Sequence, residues 1–270
     1  MSSARLAYQI IAIPAFSDNY IWLIHDERSA VVIDAGDAAP VIERVEALGL
    51  SVEALLCTHH HGDHVGGNEA LAARYQMPVY GSIHEHIPAR THPLRGGERL
   101  IFLRGVAQCE VLATPGHTRG HLAYAIKMVD GKSAQETALF SGDTLFAAGC
   151  GRIFEGTPEE MWHSLRKLAA LPPITRLYCG HEYTLANLRF AQAVEPDNPA
   201  IGEREARVIA MLDDEQPSVP TMLYEEFASN PFLRVNEPSV QTAARTRSGL
   251  PCITDIEVFS VLRQWKNDFR

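Results

Sequence analysis

Short apolar runs rich in β-branched residues recur along the first two thirds of the chain and predict strands. The runs cover residues 8–13, 20–24, 30–33, 52–57, 78–80, 100–103, 108–113, 122–128, 138–140 and 174–179. Turn residues such as Pro14 and Asp26 separate the first three runs, and this spacing predicts an antiparallel meander.

Helical spacing alternates with these strands and dominates the last third of the chain. Residues 40–48 and 68–75 have this spacing, and Thr157 and Glu160 form a capping-box pattern that opens a third helix. The buried face of that helix is predicted to carry Trp162, Leu165 and Leu168. From Thr184 onward we expect no strands, only helices over residues 185–194, 198–213 and 255–269, with Pro217 and Pro220 interrupting the run.

Residues with metal-binding side chains follow four of the predicted strands. They are the tract 58–64 (Thr-His-His-His-Gly-Asp-His), His117, Asp143 and His181. Because a sheet holds the ends of its strands in fixed positions, we expect these side chains to converge. The position of the histidine tract between a strand and a helix argues against a solvated surface tract.

Imidazole and carboxylate groups are ligands for zinc, iron and related divalent ions. One ion could be held by His59, His61 and His117, and a second by Asp63, His64 and His181, with Asp143 bridging the two. Two dications lower the pKa of a shared water, so that hydroxide can attack a carbonyl without a serine or cysteine nucleophile. The pattern therefore predicts a hydrolase in which Asp63 and Asp143 are the catalytic carboxylates.

Composition restricts the class of partner. The 270 residues are 46% hydrophobic and carry a formal net charge of −9, which argues against a nucleic-acid-binding protein and favours small molecules. The five cysteines are scattered, without a Cys-x-x-Cys pair, and we expect reduced, mostly buried thiols. Neither a signal sequence nor a membrane span is indicated, so we expect a cytoplasmic protein. We also expect a monomer.

Other histidines are assigned lesser roles. We expect His60 to face away from the ligands, and His84 and His86 to be solvated rather than to chelate a metal. His121 follows His117 closely and could orient a ligand.

The order of the donors, His-x-His-x-Asp-His at 59–64 followed by His117, Asp143 and His181, resembles that of the metallo-β-lactamase superfamily. Longer motifs are similar to those of the glyoxalase II family, the hydroxyacylglutathione hydrolases. These motifs are residues 17–22, 58–64, 114–118, 149–157, 179–184 and 230–234. The resemblance extends over nearly the entire chain.

The resemblance implies an αββα sandwich with a binuclear centre, here residues 1–181, and a helical domain, residues 182–270, that helps to bind glutathione. It implies two divalent ions, zinc first and iron or manganese as alternatives, and hydrolysis of S-D-lactoylglutathione to D-lactate and glutathione. The implied glutathione-binding residues are Arg152, Phe154, Tyr183, Arg263 and Lys266. Cationic side chains suit the carboxylates of glutathione. Phe154 stands where some members have tyrosine, and it lacks the hydroxyl donor.

Several other functions are compatible with the motif. A glutathione persulfide dioxygenase would call for a mononuclear iron site, whereas the complete second ligand set favours the hydrolase. A β-lactamase is the other near alternative, and Arg263 and Lys266 also favour the hydrolase. The net charge of −9 counts against an RNA-processing nuclease. A catalytically silent metal-binding protein is disfavoured because every expected ligand is present.

Overall fold

The computed structural model describes residues 8–129, 136–252 and 254–269. They fall into two units, each with its own dense internal contacts. Unit 1 comprises the described residues up to Ala113 together with Arg119–Gly142, and unit 2 comprises Thr114–Thr118 and the described residues from Asp143 onward. The chain leaves unit 1 at Ala113 and again at Gly142, and both positions are the last residues of strands.

The first sheet of unit 1 is mixed. Its strands, in spatial order, are β1 (Gln9–Ala15), β2 (Asn19–His25), β3 (Ser29–Ile33), β4 (Ser51–Leu56), β5 (Val79–Ser82) and β6 (His92–Leu94). The pairs β1–β2 and β2–β3 are antiparallel, which confirms the predicted meander, and the later pairs are parallel.

Three helices of unit 1 connect the parallel strands. They are α1 (Ala38–Leu48), α2 (Gly62–Val65) and α3 (Asn68–Tyr75). Val41 and Val45 of α1 are buried, and the helix ends at Gly49, whose φ of 64° is the left-handed conformation that glycine adopts without strain. Parallel strands need such crossover connections, and for this reason the helical spacing at 40–48 lies between two strands.

The second sheet of unit 1 is antiparallel and faces the first. Its strands are β7 (Arg99–Phe102), β8 (Ala107–Ala113), β9 (Leu122–Met128) and β10 (Glu136–Gly142), and a 3₁₀ turn at Leu103–Gly105 links the first two. The Tyr124 hydroxyl donates to the carbonyl of Cys57 at 2.6 Å, and the rings of Trp22 and Phe140 meet edge to face. The inner faces of the two sheets therefore share one core, as in a sandwich.

Unit 2 is mostly helical. Its strands are β11 (Leu145–Phe146), β12 (Gly149–Cys150), β13 (Arg176–Cys179) and β14 (Thr221–Met222). Its helices are α4 (Pro158–Ala169), α5 (Thr184–Val194), α6 (Pro199–Asp213), α7 (Leu223–Ser229), α8 (Pro238–Ser248) and α9 (Asp255–Asp268), with a 3₁₀ turn at Pro231–Leu233. Both hydrogen bonds of the predicted capping box at Thr157 and Glu160 are present, and Leu165 and Leu168 are fully buried.

Some elements differ from the predictions. The expectation that strands stop at Thr184 is wrong, because β14 forms by pairing Thr221 and Met222 with β13, a contact that the local pattern does not encode. The apolar runs predict no strand between residues 80 and 100, yet β6 lies there. Residues 62–65 form a short helix that the helical spacing does not predict. Neither α7 nor α8 was predicted, and α8 buries only Val240 and Ala244, which leaves a weak apolar pattern.

Among residues 8–129, 136–252 and 254–269, no helix has the length and apolar character that a bilayer crossing requires.

Candidate metal centre

Unit 1 carries four of the predicted ligands on the segment between β4 and the end of α2. His59 and His64 are buried, and His61 and Asp63 are partly exposed. His59 Nε2 lies 3.0 Å from His61 Nδ1, and His64 Nε2 lies 3.5 Å from Asp63 Oδ2. The strand places the tract, and the turn of α2 brings Asp63 and His64 to the same side of it.

Asp34, directly after β3, holds the rings of two of these ligands in place. Its carboxylate accepts hydrogen bonds from Thr58 N and Thr58 Oγ1, both at 2.7 Å, and from His64 Nδ1 at 3.0 Å. Because Thr58 Oγ1 donates to Asp34, its oxygen can accept from His59 Nδ1, 3.0 Å away. With Nδ1 protonated, Nε2 of both His59 and His64 keeps its lone pair for a metal.

The hairpin between β1 and β2 holds the carboxylate of Asp63. The Asn19 side-chain amide donates to Asp63 Oδ2 at 2.9 Å and to the Asp63 carbonyl at 3.4 Å. A Cβ atom at Gly36 would lie 1.9 Å from that same carbonyl oxygen, so glycine is required there. The motif at 17–22 thus has a structural role beside a predicted metal ligand.

Unit 2 carries the other three predicted ligands, with Asp143 at the centre. One of its oxygens, Oδ2, lies 3.5 Å from His117 Nε2 and 3.4 Å from His181 Nε2. The ring of His117 donates from Nδ1 to the carbonyl of Arg152 at 2.8 Å, which again leaves Nε2 unprotonated. The ring of His181 stacks on that of Tyr183 with centroids 4.7 Å apart.

The distances within each unit fit divalent ions. Two ligands that bind a tetrahedral ion with bonds of 2.0–2.1 Å lie about 3.3 Å apart, and two ligands at a right angle lie about 2.9 Å apart. The Asp143 and Asp63 pairs, at 3.4–3.5 Å, match the first value, and His59 with His61, at 3.0 Å, matches the second. The donor atoms are nitrogens and carboxylate oxygens, the set that zinc and iron share.

A cavity of about 490 Å³ in unit 2 adjoins these ligands. Its lining includes His117 and Asp143 as well as all five predicted substrate-binding residues, namely Arg152, Phe154, Tyr183, Arg263 and Lys266. Phe154 is 62% exposed, and its ring meets that of His117 edge to face.

Lys266 is a cation of this cavity whose protonation depends on its surroundings. Its ammonium group donates to the carbonyl of Ala186 at 2.9 Å and lies over the rings of Phe190 and Phe269. Burial lowers the pKa of Lys266 to about 8, and the neighbouring positive charges of Arg263 and Arg152 act in the same direction.

The remaining histidines and the cysteines have less direct positions. The ring of His60 lies 5.0 Å from that of His61, and His84 and His86 are exposed. His121 is buried and stacks on His59 with centroids 4.9 Å apart, so it contacts a predicted ligand. All five cysteines are free and buried, as predicted, and burial raises the pKa of Cys109 and Cys179 to about 12.

The sequence interpretation missed Asp34, Asn19 and the carbonyl of Arg152 as groups that hold ligands. Asp34 contacts Thr58 across 24 positions, and Asn19 contacts Asp63 across 44. The available signal was the polar Asp34-Ala35-Gly36 at the end of a buried strand and the motif at 17–22. Neither says which ligand it holds.

Comparison with known proteins places this fold and donor set in a known class. Residues 15–181 match the family model of the metallo-beta-lactamase superfamily. ETHE1 from Myxococcus xanthus has the same fold, with a TM-score of 0.64 and 23% identity, and the match covers 96% of this chain and 90% of that one. The BLEG-1 B3 metallo-beta-lactamase also has this fold, with a TM-score of 0.59 and 23% identity, and the match covers 84% of this chain and 99% of that one. The fold is the metallo-β-lactamase fold, as the sequence predicted.

Residues 182–269 match the model described as hydroxyacylglutathione hydrolase C-terminus. A hydroxyacylglutathione hydrolase from Alkalilimnicola ehrlichii is 51% identical over 96% of this chain and 98% of its own length. One from Nitrosomonas europaea is 44% identical over 97% and 96%. The chain therefore belongs to the hydroxyacylglutathione hydrolase family. Membership of the superfamily and the clusters of His and Asp donors indicate that the protein binds divalent metal.

Proposed function

We propose that the protein is a binuclear, metal-dependent thioester hydrolase. Its substrates are S-(2-hydroxyacyl)glutathiones, chiefly S-D-lactoylglutathione, which it cleaves to D-lactate and glutathione in the detoxification of methylglyoxal. The observation that carries this proposal is the cavity of unit 2, in which two predicted metal ligands and the cationic residues Arg152 and Lys266 line one space. A cavity that joins a hydrolytic site to an anion site suits a substrate with a reactive thioester and distant carboxylates.

We assign the seven ligands to two ions. His59, His61 and His117 would hold one ion, Asp63, His64 and His181 would hold the other, and Asp143 would contribute to both. Zinc is the first choice, with iron or manganese as alternatives. A similar structure, that of TTHA1623, was solved in a di-iron-bound form; it is 29% identical over 64% of this chain, with a TM-score of 0.50. Divalent ions supply an acidified water and polarise a carbonyl.

The protein's own residues orient the ligands and the substrate. Asp34 and Asn19 fix the ligand rings and carboxylate of unit 1, and the carbonyl of Arg152 fixes His117. The ammonium of Lys266 and the exposed guanidinium of Arg152 pair with glutathione carboxylates, while Phe154 and Tyr183 provide apolar and aromatic surface. Arg263, the fifth residue of the predicted set, lines the same cavity.

We propose that residues 1–181 form the catalytic domain and residues 182–270 the helical glutathione-binding domain. The two family models that match the chain, 15–181 and 182–269, support this division. We further propose that the protein acts as a cytoplasmic monomer.

The rival functions within the superfamily have less support. The similar structures that are β-lactamases by name are at most 23% identical and show the fold alone. The relatives at 44–51% identity over nearly the full length are hydroxyacylglutathione hydrolases.

The assignment of ligands is tested by Asp143→Asn and His181→Ala. Each is expected to lower the bound metal and the hydrolysis of S-D-lactoylglutathione together, because each removes a ligand. His163→Ala is the matched control, since His163 is exposed on α4 and has no assigned role. Wild-type metal content and turnover in Asp143→Asn would contradict the bridging role.

A further inference from the structure

Arg263 differs from the other predicted substrate-binding residues in its burial and in its partners. It is only 5% exposed, and its guanidinium lies 5.2 Å from the ring centre of Phe232. Nη1 donates to the carbonyl of Cys150 at 2.7 Å and reaches that of Gly151 at 3.4 Å, while Nη2 donates to Asn267 Oδ1 at 3.2 Å. Nη1 is thus directed at the backbone of the segment 150–152, whereas the buried Nε has no hydrogen-bond partner among the described residues.

The segment 150–152 lies directly against two metal ligands of unit 2. The Arg152 carbonyl accepts from His117 Nδ1, and Gly151 N donates to the carbonyl of Thr144, next to Asp143. A Cβ atom at Gly151 would lie 1.8 Å from the Asp143 carbonyl oxygen and 3.3 Å from His117 Nδ1. A displacement of this segment would therefore move the acceptor that orients His117 and the backbone that carries Asp143.

We propose that Arg263 is a positioning residue for the metal centre: it holds the segment 150–152, and through it His117 and Asp143, in the geometry that binds metal. This inference rests on the proposed function, whose ligands it uses. It assigns to Arg263 a principal role different from that of Lys266, which lies one turn later in α9.

The contrast with Lys266 provides a matched pair of variants. Both residues are cations on α9 that line the same cavity, but Lys266 is half-buried and donates to the carbonyl of Ala186 on α5 rather than to the segment 150–152. Loss of Lys266 removes a charge that faces the substrate. Loss of Arg263 removes the donor to two carbonyls beside the ligands, and the segment is then free to shift.

The test compares Arg263→Met, Arg263→Lys and Lys266→Met in the full-length protein loaded with zinc. Zinc retention is titrated with a competing chelator in the absence of substrate, and kcat and KM are measured separately on S-D-lactoylglutathione. Arg263→Met is expected to release zinc at a roughly 10- to 100-fold lower chelator concentration and to lower kcat, as is typical when a residue that orients a metal ligand is lost. Lys266→Met is expected to retain zinc as the wild type does and to raise KM.

Arg263→Lys keeps a buried cation with a single donor nitrogen, so it is expected to restore part of the zinc retention and of kcat. If circular dichroism shows that Arg263→Met is unfolded, Arg263→Lys decides the question by the same two measurements. Wild-type zinc retention and kcat with a raised KM in the folded Arg263 variants would overturn the proposal, because Arg263 would then act on the substrate alone. Because the titration needs no substrate, it remains decisive even if the wild type does not cleave the thioester.

Discussion

The protonation of Lys266 should make glutathione binding depend on pH. Its pKa is lowered to about 8, chiefly by burial and further by the charges of Arg263 and Arg152. A lowered lysine pKa means that the ammonium form is present below pH 8 and is lost as the pH rises through that value. Only the ammonium form can pair with a carboxylate of glutathione.

The size of the effect follows from this pKa. With a pKa of about 8, roughly 90% of Lys266 is protonated at pH 7 and roughly 10% at pH 9. If only the protonated form binds the carboxylate productively, KM for S-D-lactoylglutathione rises up to about tenfold over this range. A lysine at its usual pKa near 10.4 would stay almost fully protonated and would produce almost no change.

The assay is a set of initial rates from pH 7 to pH 9, corrected for the uncatalysed hydrolysis of the thioester. Lys266→Arg is the matched control, because a guanidinium remains charged across this range. Titration of the substrate or of the metal centre affects both proteins alike, so the ratio of their KM values isolates Lys266. The reasoning is refuted if this ratio is the same at pH 7 and pH 9.

Three further predictions concern other parts of the molecule. Asp34→Asn should weaken zinc retention about 10- to 100-fold in a chelator titration, because the carboxylate orients His64 directly and His59 through Thr58. Unchanged zinc retention would exclude that role. Phe154→Tyr should lower KM for glutathione thioesters about fivefold if the added hydroxyl makes one hydrogen bond, and an unchanged KM would show that it makes none. Thr157→Ala should reduce the free energy of unfolding by about 1 kcal/mol in a denaturant titration, since it removes half of the capping box of α4, with kinetic constants unchanged.

Local signals in the sequence were sufficient for the elements whose stability is encoded locally. The helix α4 was predicted from Thr157, Glu160 and the spacing of Leu165 and Leu168, and α1 from its apolar spacing and Gly49. The capping bonds join residues three positions apart, so the pattern and the structure carry the same information. The donor tract at 59–64 was likewise visible, because all of its residues except Gly62 are histidine or aspartate.

Elements and roles that depend on distant partners were not predicted. The strand β14 exists because Thr221 and Met222 pair with Leu177 and Arg176 of β13. These partners lie far apart in the chain, so no local pattern indicates the pairing. The role of Asp34 depends on Thr58 and His64, and that of Arg263 on the carbonyl of Cys150, 113 positions away. In each case the residue type was compatible with several roles, and only the tertiary contact selects one.

The central claim is that this chain hydrolyses glutathione thioesters, and its most direct test is a comparison of substrates on the purified protein with its metal content measured. The three substrates are S-D-lactoylglutathione, a lactoyl thioester that lacks the glutathione moiety, and a β-lactam. We predict rapid cleavage of S-D-lactoylglutathione with release of equal amounts of D-lactate and glutathione, together with much slower or no cleavage of the other two. Cleavage of the β-lactam alone, by protein that contains its full complement of metal, would contradict the account.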